Sequence, residues 1–322
     1  MSTAPPEVSL VVIAYNEEAN IAQCLQSILQ QQELDSFEII VVDDASTDRT
    51  SAIVERLQLE HKHIHLIRHP VNRGRGAARR TGQDNCTAGS IGFVDSDIVL
   101  PSDWLMRAKS ALKDADAVSG VAVPDGDCAV IWRMFRLTSK GMPGYWELTG
   151  NNVMFKRGAL EQIGWPAESR LTEDCRMARA MVEAGLDVRT LPDLKVEHHE
   201  AKNYVRTLSF MREMGFYSTE ILRDLRLFRL PDLVWVVWVV VVATSLSLAI
   251  SGSIPLVIGM TIIACLTIAI DVGAMRQRFV FSKSPLRWLV AALANIPLIV
   301  TYLIFRTLHS PRLLLRRRPI LA

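Results

Sequence analysis

Cysteine is scarce and unpatterned in this chain. The five residues, Cys24, Cys86, Cys128, Cys175 and Cys265, show no CxxC spacing. An odd, scattered set makes neither a disulfide framework nor a structural zinc site, and it fits a reducing compartment. Strong charge of one sign is also missing. The 36 Lys and Arg against 34 Asp and Glu leave a net charge of +2, too little to argue for nucleic-acid binding. Met1 to Glu7 is polar and Pro-rich with no apolar run, so it is not a signal peptide. The glycine fingerprint of a dinucleotide-binding turn is incomplete. Gly74 and Gly76 are followed by Arg at position 79, and the first strand runs into Tyr15-Asn16-Glu17 rather than a glycine turn. Both points argue against a nicotinamide dehydrogenase.

What is present is sharply divided. Residues 1 to 230 hold nearly all the acids, while residues 231 to 308 are mostly Val, Ile, Leu and Ala. In the first part, Val8 to Ala14 is a continuous apolar, β-branched run that reads as a buried strand. Asn16 to Gln32 has helical spacing, with Ile21, Leu25, Ile28 and Leu29 on one face. Phe37 to Val42 is a second strand that stops at Asp43-Asp44. Ser46-Thr47-Asp48 is placed to cap the next helix. His63 to Ile67 reads as a third strand, Gly76 to Asn85 as a helix, and Ile91 to Val94 as a fourth strand ending at Asp95-Ser96-Asp97. Strands alternating with helices predict an α/β fold with a mostly parallel sheet, in which ligands bind beyond the carboxyl ends of the strands. The acids stand at those ends, where they can be reached without burying charge in the sheet.

Two acidic pairs carry the chemistry. Asp95 and Asp97 are one residue apart, so in extended chain both point to one side. Hard divalent cations such as Mg2+ and Mn2+ prefer such oxygen ligands, and they neutralise a diphosphate leaving group. One of the two carboxylates would hold the metal, and the other the ribose or a metal-bound water. Glu173-Asp174 opens a helix with Met177, Ala178, Met181 and Val182 on its apolar face. There the two acids serve either as dipole compensation or as a general base toward a hydroxyl. Asn72-Arg73-Gly74-Arg75-Gly76 opens another helix, where glycine lets backbone approach a phosphate.

In order and spacing, these motifs resemble the family 2 glycosyltransferases of the GT-A (Rossmann-like) fold over about residues 8 to 220. The resemblance rests on Val12 to Glu17, Val41 to Asp48, Asn72 to Gly82, Asp95-Ser96-Asp97, Gly150-Asn151-Asn152 and Glu173-Asp174. It implies that Tyr15 and Glu17 line the nucleotide pocket, that Asp44 contacts the base with Asp43 beside it, and that Gly76 and Arg79 lie near the nucleotide. It implies that Asp95 faces ribose and metal, that Asp97 ligates the metal, and that Gly150, Asn151 and Asn152 lie near the transferred sugar. Asp174 would be the base of an inverting displacement, with Glu173 its neighbour. A metal-binding His is expected one helix and one strand later, at His198 or the adjacent His199. The Gln/Arg-x-x-Arg-Trp motif of the processive members is not found between Asp174 and Pro231, which favours transfer of a single sugar.

The second part reads as membrane-spanning. Residues 233–250, 254–270 and 288–305 are apolar runs near the length of a bilayer core. Arg223, Arg226 and Arg229 precede the first two runs, and Arg276, Arg278, Lys283 and Arg287 follow them, so both flanks are expected in the cytoplasm. The third run holds Asn295 and Pro297 near its middle. As a full crossing it would export Arg306, Arg312 and Arg316 to Arg318, and as a re-entrant turn it would not. Length favours three crossings. The expected organisation is a GT-A catalytic domain over 1–202, an amphipathic interfacial segment over 203–230, transmembrane helices over 231–308 and a basic tail over 309–322. The expected activity uses Mn2+ or Mg2+ and a UDP- or GDP-sugar, acts on a lipid or membrane-proximal acceptor, and belongs to an integral membrane protein with its catalytic domain on the cytoplasmic face. The alternative is a non-catalytic nucleotide-sensing scaffold of the same fold. A transporter is disfavoured by the few ionisable groups in the apolar runs.

Overall fold

A strand apolar at six of its seven positions needs cover on both faces, and β1 (Val8–Ala14) has it: every one of its side chains is buried. In the computed structural model, which describes residues 5–32, 36–124, 148–168, 173–199, 204–225, 230–276 and 285–314, β1 is a central strand. On one side it pairs in parallel with β2 (Phe37–Asp43), which pairs in parallel with β3 (Ile64–Arg68). On the other side it pairs in parallel with β4 (Ser90–Asp95). The sheet continues through β7 (Asn152–Lys156), β6 (Ala117–Pro124), β8 (Val188–His198) and β5 (Ile98–Val99). The pairs β4–β7, β6–β7 and β5–β8 are antiparallel, and β6–β8 is parallel.

Alternation along the strands builds two cores, one on each face. Leu10, Val12, Ile39 and Val41 pack on α1 (Ile21–Leu29), α2 (Thr50–Glu60) and α4 (Trp104–Leu112). Val11, Ile13, Ile40 and Phe93 face α3 (Arg75–Asn85), α5 (Arg157–Ile163) and α6 (Glu173–Glu183). At one close approach, a Cβ on Gly82 of α3 would lie 2.2 Å from a Val11 methyl. Strand order reverses between β1 and β4, and the register sets Ala14 beside Asp43 and Ile13 beside Asp95. The carboxyl ends therefore finish level at the switch point, where a parallel α/β sheet opens its crevice.

Two local readings of the sequence shift. The first helix begins at Ile21 rather than Asn16, because Tyr15 to Asn20 is held as a turn. Asn16 takes a φ of 56°, its N–H donates to Ser46 Oγ (2.9 Å), and its Oδ1 accepts the Thr47 N–H (2.8 Å). The run Ser46-Thr47-Asp48 does not supply the N-cap of α2, which is Arg49, although Asp48 Oδ1 just before it accepts the Thr50 N–H at 2.9 Å.

The helical unit, from Ala201 on, holds α7 (Tyr204–Leu225), α8 (Leu230–Ile250), α9 (Leu256–Arg276) and α10 (Pro285–Leu314). Residues Arg226 to Arg229, Arg278, Lys283 and Arg316 to Arg318 of the charged flanks lie outside the described residues, as do Leu171 and Thr172 before α6. After α8 the chain turns through Gly252 (φ 74°), and α9 packs back on α8. Trp238 Nε1 donates to Thr267 Oγ1 (3.2 Å), and a Cβ on Gly259 would sit 3.2 Å from the Ser245 carbonyl. The helix α10 runs unbroken through Asn295-Ile296-Pro297, so no re-entrant turn forms there. On α7, Met211 is buried and Leu208 and Met214 are half-buried in a cluster with Leu298, Ile299 and Leu303 of α10. By contrast α8 and α9 turn Val237, Val240, Leu246, Val257, Met260 and Ile262 outward. Among the described residues, one helix, Asp232–Ile250, is long and apolar enough to cross a membrane, with a mean hydropathy of 2.5; Leu256–Ile270 and Ile296–Ser310 are shorter apolar helices.

Candidate active site

Arg79 stands at the centre of the site. It lies on the second turn of α3 and is 2% exposed. One guanidinium nitrogen donates to Asp95 Oδ1 (2.6 Å) and another to Glu173 Oε1 (2.5 Å). The guanidinium carbon lies 5.3 Å from the Trp165 ring centre, a cation–π contact. Gly150 backs the same group, and a Cβ there would come within 2.8 Å of the guanidinium carbon. Thus one buried arginine ties the acid that ends β4 to the acid that opens α6, although 78 positions separate them in sequence (173 − 95). Burial works against its charge, but the Asp95 and Glu173 carboxylates outweigh that and hold its pKa above the usual arginine value. For Glu173 burial is the larger influence and raises the carboxyl pKa, with Arg79 pulling the other way. Glu173 Oε2 and Arg79 Nε are buried and have no hydrogen-bond partner among the described residues.

The second acid of the pair, Asp97, meets His198. The short strand β5 pairs antiparallel with the end of β8, setting Ile98 opposite His198, and the His199 N–H donates to the Asp97 carbonyl (2.8 Å). This ladder brings His198 Nε2 to 3.0 Å from Asp97 Oδ2, while the His199 ring lies 3.5 Å from Glu197. Of the two neighbouring histidines, His198 is the one beside the DxD carboxylate. Among the described residues no three metal-ligating side chains converge. A carboxylate and an imidazole, with the partly exposed Asp95 near the same strand ends, fit a cation that takes its remaining ligands from a substrate diphosphate, as Mg2+ and Mn2+ commonly do.

The other expected residues divide into those that face the crevice and those that hold it. Tyr15, at the end of β1, is 48% exposed. Glu17 accepts from Asn20 Nδ2 (2.8 Å), and its own N–H donates to Thr50 Oγ1 (2.8 Å). Asp174 is half-buried in the first turn of α6, its Oδ1 accepting the Cys175 N–H (2.8 Å). Gly76 is buried as the second residue of α3. Asn151 keeps a buried Oδ1 with no partner among the described residues.

Asp43 and Asp44 are engaged inside the protein. Asp43 accepts from the Ser46 N–H (2.9 Å) and the Ser51 hydroxyl, with Arg68 at 3.3 Å. Asp44 accepts the N–H groups of Arg73 (2.8 Å) and Gly74 (2.7 Å) and meets His69 Nδ1 at 2.7 Å; His69 Nε2 in turn lies 2.9 Å from Thr81 Oγ1. These carboxylates fix the turns before α2 and α3. Asn152, expected in the loop by the sugar, points its amide into the core. There it accepts from Trp104 Nε1 (2.8 Å) and donates to the Leu194 carbonyl (2.9 Å). The reading from sequence missed His69 and Trp165. His69 follows directly on β3, so its place at a strand end was the available signal; Trp165 carried none.

A mixed, mostly parallel α/β sheet whose switch point gathers a DxD pair, a histidine and a second acidic pair defines a nucleotide-sugar-binding fold of the GT-A type. Residues 9–164, within the α/β unit, match the model of glycosyl transferase family 2. The beta-monoglucosyldiacylglycerol synthase of Synechocystis is 32% identical over 196 residues, 54% of this chain and 40% of that protein. Glycosyltransferase AglE of Haloferax volcanii is 30% identical over 123 residues, 37% of this chain and 40% of that one. The matched part thus spans about 40% of either relative's length. The mannosyltransferase PcManGT of Pyrobaculum calidifontis, solved with GDP-Man and Mn2+, shares the fold with a TM-score of 0.58 at 21% identity, over 96% of this chain and 88% of that one.

Proposed function

We propose that this protein is a membrane-anchored, metal-dependent, inverting glycosyltransferase that moves a single sugar from a UDP- or GDP-sugar to a lipid or membrane-proximal acceptor. The observation that carries the reading is the Asp95–Arg79–Glu173 bridge, which joins the carboxylate pair suited to a donor diphosphate to the acidic pair suited to an acceptor hydroxyl. Asp97 and His198, with Asp95, would hold Mn2+ or Mg2+, which when bound supplies positive charge to the diphosphate. Tyr15 and Glu17 line the nucleotide pocket. Asp43 and Asp44 act by fixing the turns that shape it, and Gly76 lets the start of α3 lie close to the nucleotide. Gly150 and Asn151 border the sugar, while Asn152 anchors their loop from the core side.

Asp174 takes the proton of the acceptor hydroxyl as that oxygen attacks the anomeric carbon. The bond from that carbon to the phosphate oxygen breaks, the nucleoside diphosphate leaves with the electron pair, and the configuration inverts. Arg79 is a positioning residue: its two arms fix Asp95 and Glu173, and Glu173 precedes the base. The outward apolar faces of α8 and α9 support a membrane anchor, and the Arg-rich flanks support a cytoplasmic catalytic domain.

The test is transfer by the full chain in lipid vesicles, supplied with single UDP- and GDP-sugars and either cation. Release of nucleoside diphosphate together with a glycolipid of inverted anomeric configuration is expected. Folded protein that transfers from no donor, or a product that keeps the donor configuration, contradicts the reading.

A further inference from the structure

We propose that α10 is not a third membrane crossing, and that the chain crosses twice and returns its basic C-terminal tail to the face from which α8 starts. This rests on the membrane anchoring proposed above and concerns its topology.

The helices α8 and α9 form an antiparallel hairpin, since Trp238 meets Thr267 and Ser245 meets Gly259. Asp232, in the first turn of α8, and Arg276, at the end of α9, therefore stand at one end of the hairpin. Gly252 and its neighbours stand at the other, about 30 Å away for helices of 21 residues.

The C-terminal half of α10 is fastened to the Asp232 end. Arg306 pairs with Asp232, and both are fully buried. The Arg306 guanidinium lies 4.6 Å from the Trp235 ring centre and donates to the Tyr302 hydroxyl (2.9 Å), which in turn donates to Ser218 Oγ on α7 (3.0 Å). Trp235 Nε1 donates to Thr307 Oγ1 (3.1 Å). A third crossing begun where α9 ends would carry residues 302–310 about 30 Å from Asp232, the thickness of the hydrocarbon core. Contacts at hydrogen-bond distance exclude that.

The remaining way to bring α10 to this position as a spanning helix is for residues 277–284 to cross first. Eight residues that include Arg278 and Lys283 are too short and too charged to cross. The charge pattern agrees. With two crossings, the Arg- and Lys-bearing segments before α8, after α9 and after α10 would share one face, and the Ser251-Gly252-Ser253 turn on the other carries no charge. The conflict between three crossings and the positive-inside rule disappears. An ionisable residue held in a membrane unit is expected to be paired, as Arg306 is with Asp232.

The test uses the full chain in a bacterial host, with GFP, which fluoresces only in the cytoplasm, and alkaline phosphatase, active only outside it. Each is fused after Ala322 or inserted after Ser253. The expected result is phosphatase activity from the Ser253 insertion and fluorescence from the Ala322 fusion. Phosphatase activity at both positions overturns the proposal, because α10 then crosses, and leaves membrane anchoring intact. Fluorescence at both positions means that the hairpin does not cross, which removes the anchoring reading together with the proposal.

Discussion

Arg79 and Asp174 separate positioning from chemistry at the level of single side chains. Arg79 is buried with one carboxylate on each arm, so removing it strands Glu173 without its countercharge. Breaking a buried pair from one side costs on the order of 3–5 kcal/mol. Arg79→Met is therefore expected to lower the thermal unfolding temperature markedly, and adding Glu173→Gln is expected to recover part of the loss. Asp174→Asn removes only the base: turnover should fall roughly 10²- to 10⁴-fold with nucleotide affinity unchanged, as measured by initial rates beside calorimetric titration. The acids at positions 95, 97, 173 and 174 were legible in the sequence because charge at a strand end or helix start needs a reason. The internal contacts of Asp44 with Arg73 and Gly74, and of Asn152 with Trp104 and Leu194, were not, because the same residue types that bind ligands also satisfy buried polar groups.

Among the elements, β1, β2 and β4 were readable as short, mostly apolar runs, since both their faces are covered. The strands β5 to β8 were not. A two-residue β5 leaves no pattern, Ser119-Gly120 interrupts β6, and Pro192 lies within β8. Their pairing, on which the Asp97–His198 contact depends, is a long-range product of the fold. Asn152 sits at the junction, satisfying Trp104 and Leu194 at once. Asn152→Ala leaves both unpaired and should destabilise the protein by about 1–3 kcal/mol, while folded molecules keep their specific activity. Calorimetry beside an assay normalised to folded protein checks this. Lost activity at unchanged stability would return Asn152 to the sugar site.

For the whole molecule, composition announced two parts that meet near residue 230, whereas the helical unit begins at Ala201: an α/β unit with its acids at the switch point, and a helical unit with apolar faces turned outward. The positions of α8 and α9 were legible in the apolar runs, while α10 (Pro285–Leu314) extends well beyond the run 288–305. The course of α10 was not legible, because the Asp232–Arg306 pair that fixes it joins residues 74 positions apart. With the outward faces of α8 and α9 in lipid, the full chain should stay in the membrane through alkaline carbonate and leave only with detergent. Release by carbonate would speak for peripheral attachment.

The central claim, that Asp97 and His198 bind a donor diphosphate through a divalent cation, is tested most directly by calorimetric titration of the detergent-solubilised chain with UDP- and GDP-sugars, with and without Mn2+. The account predicts binding to one donor class that requires the ion and is lost in both Asp97→Ala and His198→Ala, each folded by circular dichroism. Binding that is indifferent to Mn2+, or that survives both substitutions, would contradict it.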